Sequence, residues 1–152
     1  SMHYALSLLL LFIAQQESPE DVLREFVRAV REGNGELAAS YISESNIDAE
    51  FSETAESVRT FTVEEQLRLT SILGLSVSPE DFSVMDARSL VALFIASGSM
   101  ASQFGNEVFY GETSIHNDTA YVHCVDIAST PFEVETVLLI RESGSWKLLM
   151  EL

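Results

Sequence analysis

Cysteine is nearly absent from this chain, since Cys124 is the single one among 152 residues. One thiol cannot form an intramolecular disulfide, and a structural zinc cluster built on several thiolates is excluded as well. The flanking residues, His123 and Val125, are typical of a strand. Two readings of the thiol are open, a small buried apolar group or a reactive nucleophile, and we expect the buried group.

Basic residues are also scarce. The sequence has 8 Lys and Arg against 24 Asp and Glu, which gives a formal net charge of −16. Nucleic-acid binding and docking on an anionic membrane surface both draw their affinity from Lys and Arg, so the composition argues against both. The acidity is typical of a solvated, self-repelling surface, and the alternative is a basic partner or a cationic ligand.

Motifs for cofactors and metal ions are lacking too. The sequence contains no Gly-rich phosphate loop, no nucleophile elbow and no calcium-loop spacing. His116 and His123 lie seven residues apart without a supporting Cys or acidic motif, so they do not form a recognisable ligand set. We therefore expect no cofactor and no bound metal.

The longest apolar run, residues 4–14, lies at the amino terminus. It is too short to cross a bilayer of ~30 Å as a helix, so we expect no stable membrane span. Either residues 2–14 act as a signal peptide and the protein is exported or periplasmic, or they form a packing helix and the protein is cytoplasmic. Ser1 is typical of a purification-tag remnant. We predict an apolar segment over 1–16 and one domain over 17–152.

Helix-start signals divide the first two thirds of the chain. The tetrapeptide Ser-Pro-Glu-Asp occurs at 18–21 and again at 78–81. Ser suits an N-cap, Pro suits the first helical position, and the two acids meet the positive end of the helix dipole. After the first copy, apolar residues recur at helical spacing as far as a stop at Gly33. After the second copy, the apolar run 82–95 predicts one helix that is buried on most sides.

Two further helices are predicted between these copies. Asn34 opens a short one, and the capping box from Thr62 to Glu65 starts one of about three turns that carries Val63 and Leu67. The acidic stretch 48–57 has few large apolar residues, and there we predict a surface loop or a weak helix.

The pattern changes to period two in the last third of the chain. It predicts four strands joined by tight turns, over residues 107–116, 120–128, 132–141 and 146–152. Helices first and an antiparallel meander last predict an α+β fold, in which the helices pack on one face of a curved sheet.

Three stretches resemble the nuclear transport factor 2-like superfamily, the cystatin-like, cone-shaped α+β fold shared with ketosteroid isomerase, scytalone dehydratase and many small bacterial proteins. Residues 18–34, SPEDVLREFVRAVREGN, resemble its opening helix and helix stop. Residues 117–125, NDTAYVHCV, are similar to its turn and strand, and residues 138–149, LLIRESGSWKLL, to its Gly-x-Trp-Lys-Leu ending. These motifs are structural, so the resemblance implies a fold and not an activity.

The resemblance also implies a pocket between the concave sheet face and the helices, and homodimers that form through the sheet. We therefore expect a non-catalytic domain that binds a small apolar ligand or another protein, as a homodimer through the sheet or the N-terminal helix. The alternative is an isomerase or dehydratase that transfers a proton with a pocket carboxylate or histidine.

Candidate chemistry lies on the first predicted hairpin. A two-residue turn would pair Glu112 with His123 and Tyr110 with Val125. Tyr110, Glu112, Tyr121 and His123 would then share one face, where the carboxylate could raise the pKa of the imidazole and provide a general acid or base. The alternative is an ordinary cross-strand pair on the solvent or dimer face.

The opposite face offers one charged group, Asp126. If that face is concave, Asp126 is the candidate carboxylate, and the alternative is a buried acid that caps a neighbouring turn. Trp146, with Tyr110 and Tyr121, is our candidate for the lining of the ligand pocket. The residues alone leave open which face lies inside.

Overall fold

The computed structural model describes residues 17–100, 108–126 and 133–150, so the predictions on residues 1–16 lie outside the described residues. The helices are α1 Pro19–Arg31, α2 Gly35–Ser40, α3 Glu44–Arg59, α4 Val63–Leu73, α5 Pro79–Ser83 and α6 Ala87–Ala96, and the strands are β1 Val108–His116, β2 Thr119–Asp126, β3 Val134–Glu142 and β4 Ser145–Leu149.

The four strands form one antiparallel sheet in the order β1-β2-β3-β4. Asn117, in the turn between β1 and β2, takes a φ of 56°, and Ser143 and Gly144 turn the chain between β3 and β4 with φ values of 51° and 80°. Positive φ at such positions matches the twist of a tight hairpin. The α+β prediction, with helices before an antiparallel meander, is confirmed.

The predicted helix starts are confirmed by their capping geometry. The Ser18 hydroxyl accepts a hydrogen bond from the Asp21 backbone N–H at 3.1 Å. Thr62 and Ser78 each form a reciprocal capping box with the residue three positions later. Ser-Pro-Glu-Asp therefore works as a helix start in both copies, because it satisfies backbone donors that the first turn leaves free.

Of the two alternatives predicted for 48–57, the loop is wrong and the helix is confirmed, because this stretch lies inside the 16-residue helix α3. Ile47, Ala55 and Val58 are buried, and Phe51 is half-buried between them. These four positions follow helical spacing, so a narrow apolar stripe on an otherwise acidic helix is enough to attach it to the core.

The prediction of one helix over 82–95 is also wrong, because the chain breaks there into α5 and α6. The break occurs at Asp86, whose carboxylate accepts a hydrogen bond from the Ser89 backbone N–H at 2.7 Å and caps α6. The predicted burial holds, since Phe82, Met85 and Leu90 form a small core cluster with α3.

The main core joins α1 to one face of the sheet, which we call the inner face. The buried side chains of α1 meet those of the sheet in one cluster. The inner-face members are Ala120, Val122, Leu139, Trp146 and Leu148. Cys124 is also buried, as the first of its two readings predicts.

A short parallel contact ties the helical layer to the edge of the sheet. The Leu148 N–H donates to the Tyr41 carbonyl, and the Ser43 N–H donates to the Leu148 carbonyl, each at 2.8 Å. The segment between α2 and α3 therefore extends the sheet beyond β4. Among the described residues, no helix is both long and apolar enough to cross a membrane.

Candidate functional site

A β-bulge in β1 decides which residues share a face. Thr113 pairs with Val122, but Tyr110 pairs with Cys124, so two residues of β1 stand opposite the single residue His123. The predicted pair of Tyr110 with Val125 is therefore wrong, and Glu112 shares the position opposite His123 with Gly111 instead of pairing with His123 alone. Because side chains alternate along a strand, the extra residue moves Tyr110 to the inner face.

Tyr110 is half-buried against the main core, next to α1. The Arg24 guanidinium lies over its ring, with Cζ 4.1 Å from the ring centroid, and Arg24 also donates to the Glu20 carboxylate at 2.7 Å. Burial raises the pKa of the Tyr110 hydroxyl, and the nearby Arg24 charge opposes part of that rise. Tyr110 is therefore held neutral and can donate a hydrogen bond at ordinary pH.

Thr113 brings a second polar group to the inner face. Its hydroxyl oxygen is buried and has no hydrogen-bond partner among the described residues. Buried hydroxyls are nearly always paired in folded proteins, so such a group calls for a water molecule or a ligand. Sequence reasoning missed both Thr113 and Arg24, because only the bulge and the packing of α1 bring them near Tyr110.

The other candidates of the hairpin lie on the opposite side of the sheet, which we call the outer face. His123 Nδ1 shares a hydrogen bond of 2.9 Å with the Thr136 hydroxyl on β3. Tyr121 packs edge-on against His116, with ring centroids 6.1 Å apart. Glu112 is exposed within the bulge. The predicted one-sided set is thus divided between two faces.

Trp146 and Asp126 are the two remaining candidates, on β4 and at the end of β2. Trp146 is buried in the core, and the Arg141 guanidinium lies over its ring at 4.6 Å from the centroid. Asp126 ends β2 and pairs with Val108. The side chain of Asp126 lies outside what the structure describes.

The outer face carries apolar side chains in two rows across the sheet. In the first row, Phe109 pairs with Val125 and Val125 pairs with Val134. Phe109 is 62% exposed and Val134 is 70% exposed. The second row is Tyr121, Leu138 and Leu149. We call these six residues the outer apolar rows.

In the part of the chain that the structure describes, no group of three His, Cys, Asp or Glu side chains could hold a metal ion.

A polar cluster surrounds Glu142. Its carboxylate accepts from the Ser43 hydroxyl at 2.7 Å, the Glu44 N–H at 2.8 Å and the Ser45 hydroxyl at 3.2 Å. These hydrogen bonds lower the pKa of Glu142, and the cluster serves to cap α3.

Comparisons with known proteins give one structural likeness. No family model matches the sequence, and no curated protein matches it either. A structure from Campylobacter jejuni, described as a candidate NTF2-like transpeptidase, is similar with a TM-score of 0.45 and 15% identity, over 89% of this chain and 100% of that one. The helices and strands of this chain form an α+β fold. Their order, helices first and an antiparallel meander last, is the order that the nuclear transport factor 2-like resemblance implies.

Proposed function

We propose that this chain is a non-catalytic protein-interaction domain that forms a homodimer through the outer face of its sheet. The observation that carries the proposal is the set of outer apolar rows. Exposed apolar patches of this kind are costly in water and mark interaction surfaces. A second copy would cover the same rows on both partners, as a two-fold interface requires.

The polar groups between the rows suit an interface better than a reaction. The His123 and Thr136 side chains already share a hydrogen bond, which lowers the desolvation cost of burying them. The enzyme alternative needs Glu112, His123 or Asp126 to act on a substrate in one pocket. The hydrogen bond that His123 makes goes to Thr136 on β3, which favours binding instead.

The test is sedimentation velocity on the full chain over a range of concentrations. We expect the wild type to sediment as a dimer and Phe109→Asp to sediment as a monomer. Ile72→Asp is the matched control, because Ile72 is an equally apolar, exposed residue on α4, and this variant should remain a dimer. A wild type that is monomeric at every concentration, or a dimeric Phe109→Asp, contradicts the proposal.

A small ligand on the inner face is the second candidate, and the unpaired Thr113 hydroxyl favours it. A small apolar molecule with one polar group could bond to that hydroxyl beside Tyr110. We expect a simple phenol to raise the melting temperature of the wild type and to raise that of Thr113→Val less. Equal effects on the two proteins, or no effect on either, would count against a ligand at this place.

A further inference from the structure

Helix α4 has an exposed apolar stripe, formed by Val63 and Leu67, the two residues whose spacing predicts this helix in the sequence. Val63 and Leu67 lie one turn apart, and Leu67 is 65% exposed. Within α4 only Leu73 is buried, and the helix packs mainly against α5. The stripe therefore contributes little to the fold of this chain, although the same residues would suit the core of an interface.

A recess runs beside this stripe. Leu67 and Thr70 form one wall, the linker 75–78 forms the other, and the volume is about 520 Å³. A second recess of about 610 Å³ shares Ser76, Val77 and Asp81 with the first. The two recesses thus adjoin at these shared lining residues, and we call them together the linker trough.

The far half of the linker trough is also apolar at its base. Val84, which is 73% exposed, lines it together with Leu93 and the buried Met85. The trough therefore presents apolar side chains from α4 at one end to α6 at the other. This surface is separate from the outer apolar rows, which lie on the sheet.

The charges of the trough are mainly negative. Glu36, Asp81 and Asp86 line it, against the single guanidinium of Arg88. Asp86 accepts one hydrogen bond as the cap of α6, and a carboxylate has room for further donors. Glu36 is exposed. An apolar base with an acidic border is complementary to a partner that is apolar on one side and basic beside it.

We propose that the linker trough binds a basic amphipathic segment of another protein, whose apolar residues contact Leu67, Val77 and Val84 and whose Lys or Arg residues reach Glu36 and Asp81. A second copy of this chain is a poor occupant of this acidic border, since it offers only 8 Lys and Arg against 24 Asp and Glu. The chain's own residues 1–16 contain no Lys or Arg, so they cannot use the acidic border.

The test uses a synthetic, fluorescein-labelled helical peptide, with Leu at positions i, i+3, i+4 and i+7 and Lys elsewhere, titrated with the full chain by fluorescence anisotropy. We expect Leu67→Glu and Val84→Glu each to raise the Kd about tenfold, the effect of an interface residue that contributes clearly without being a hot spot. Both variants add negative charge, which by itself would attract the Lys residues. A weaker complex therefore reports lost apolar contact.

The matched control is Ile72→Glu. Ile72 is 81% exposed on the same helix, and helical geometry places it well away from the direction of Leu67. We expect its Kd to stay within about twofold of the wild type. Glu36→Gln should weaken binding at low salt and have little effect at high salt, because its contribution is electrostatic.

Three outcomes overturn the proposal. The first is equal peptide affinity of Leu67→Glu, Val84→Glu and Ile72→Glu, and the second is loss of binding in Phe109→Asp instead. The third is tighter binding of a peptide with the sequence of residues 4–14, which would make the chain's own segment the occupant. All variants change exposed residues, and circular dichroism verifies that they are folded. None of these results depends on whether the sheet forms a homodimer.

Discussion

The Ser43 hydroxyl donates a hydrogen bond of 2.7 Å to the carboxylate of Glu142, although the two residues lie 99 positions apart. Ser43 caps α3, and Glu142 ends β3. The same carboxylate accepts from the Glu44 backbone N–H, so a side chain of the sheet satisfies a donor at the helix start. The longest helix is thereby attached to the sheet by its first turn.

Replacement of this carboxylate should destabilise the protein. We expect Glu142→Gln to lower the free energy of unfolding by about 1–2 kcal/mol, because an amide cannot accept from all of these donors. Urea denaturation measures the change. Glu50→Gln, which alters an exposed carboxylate of the same helix, should cost far less. Equal losses in the two variants would show that the attachment to α3 contributes nothing.

The contribution of Glu142 should depend on pH. Its pKa is lowered in the folded protein, chiefly by the Ser43 hydroxyl, so on acidification the unfolded chain takes up this proton first. The stabilisation is therefore complete above the ordinary Glu pKa of about 4.3 and is lost as the pH falls below it. Protonation of the many other acids at low pH relieves their mutual repulsion equally in the wild type and in Glu142→Gln. The informative quantity is thus the difference between wild type and Glu142→Gln, which should shrink between pH 5 and about pH 3. A constant difference would contradict the assignment.

Helices α2 and α6 should not tolerate a methyl group at Gly35. An added Cβ there would overlap the backbone carbonyl of Ala92, which cannot move without the helix. We expect Gly35→Ala to cost at least about 2 kcal/mol by overpacking. Gly111→Ala is the control, because its Cβ would lie 3.5 Å from the His123 carbonyl oxygen, an ordinary contact. Thermal denaturation measures the stability of both variants. A Gly35→Ala variant as stable as the wild type would mean that the two helices separate easily.

The pKa of Tyr110 should respond to Arg24. Since the guanidinium lowers this pKa against the effect of burial, Arg24→Gln should raise it further. Spectrophotometric titration at alkaline pH measures the change, and Tyr110→Phe identifies the signal. Arg28→Gln, one turn further along α1, should leave the Tyr110 titration unchanged. A lower pKa in Arg24→Gln would place the guanidinium elsewhere than over the ring.

Local chemistry made much of this fold predictable. Ser18, Thr62 and Ser78 cap their helices through groups three residues away, and Asn117 turns the first hairpin within two residues. Such interactions need no distant partner, so the sequence is sufficient to specify them. The same reasoning placed Cys124 in the interior and the meander after the helices.

Only the tertiary structure decided which side chains share a face of the sheet and which helix faces are buried. A bulge between Tyr110 and Thr113 divides the predicted site between two sides of the sheet. Gly111 is the one local signal of it, since a glycine inside a strand often marks a bulge, but a glycine alone does not fix the register. Leu67 has the same helical spacing as a core residue, yet it is exposed because no element of the described chain packs over it. The sequence by itself determined the helix starts at Ser18, Thr62 and Ser78 and the tight turns of the meander, since caps and turns are local, whereas the starts of α3 and α6 were missed. Which side chains meet depends on register and packing across the whole chain, and only the tertiary structure supplied that.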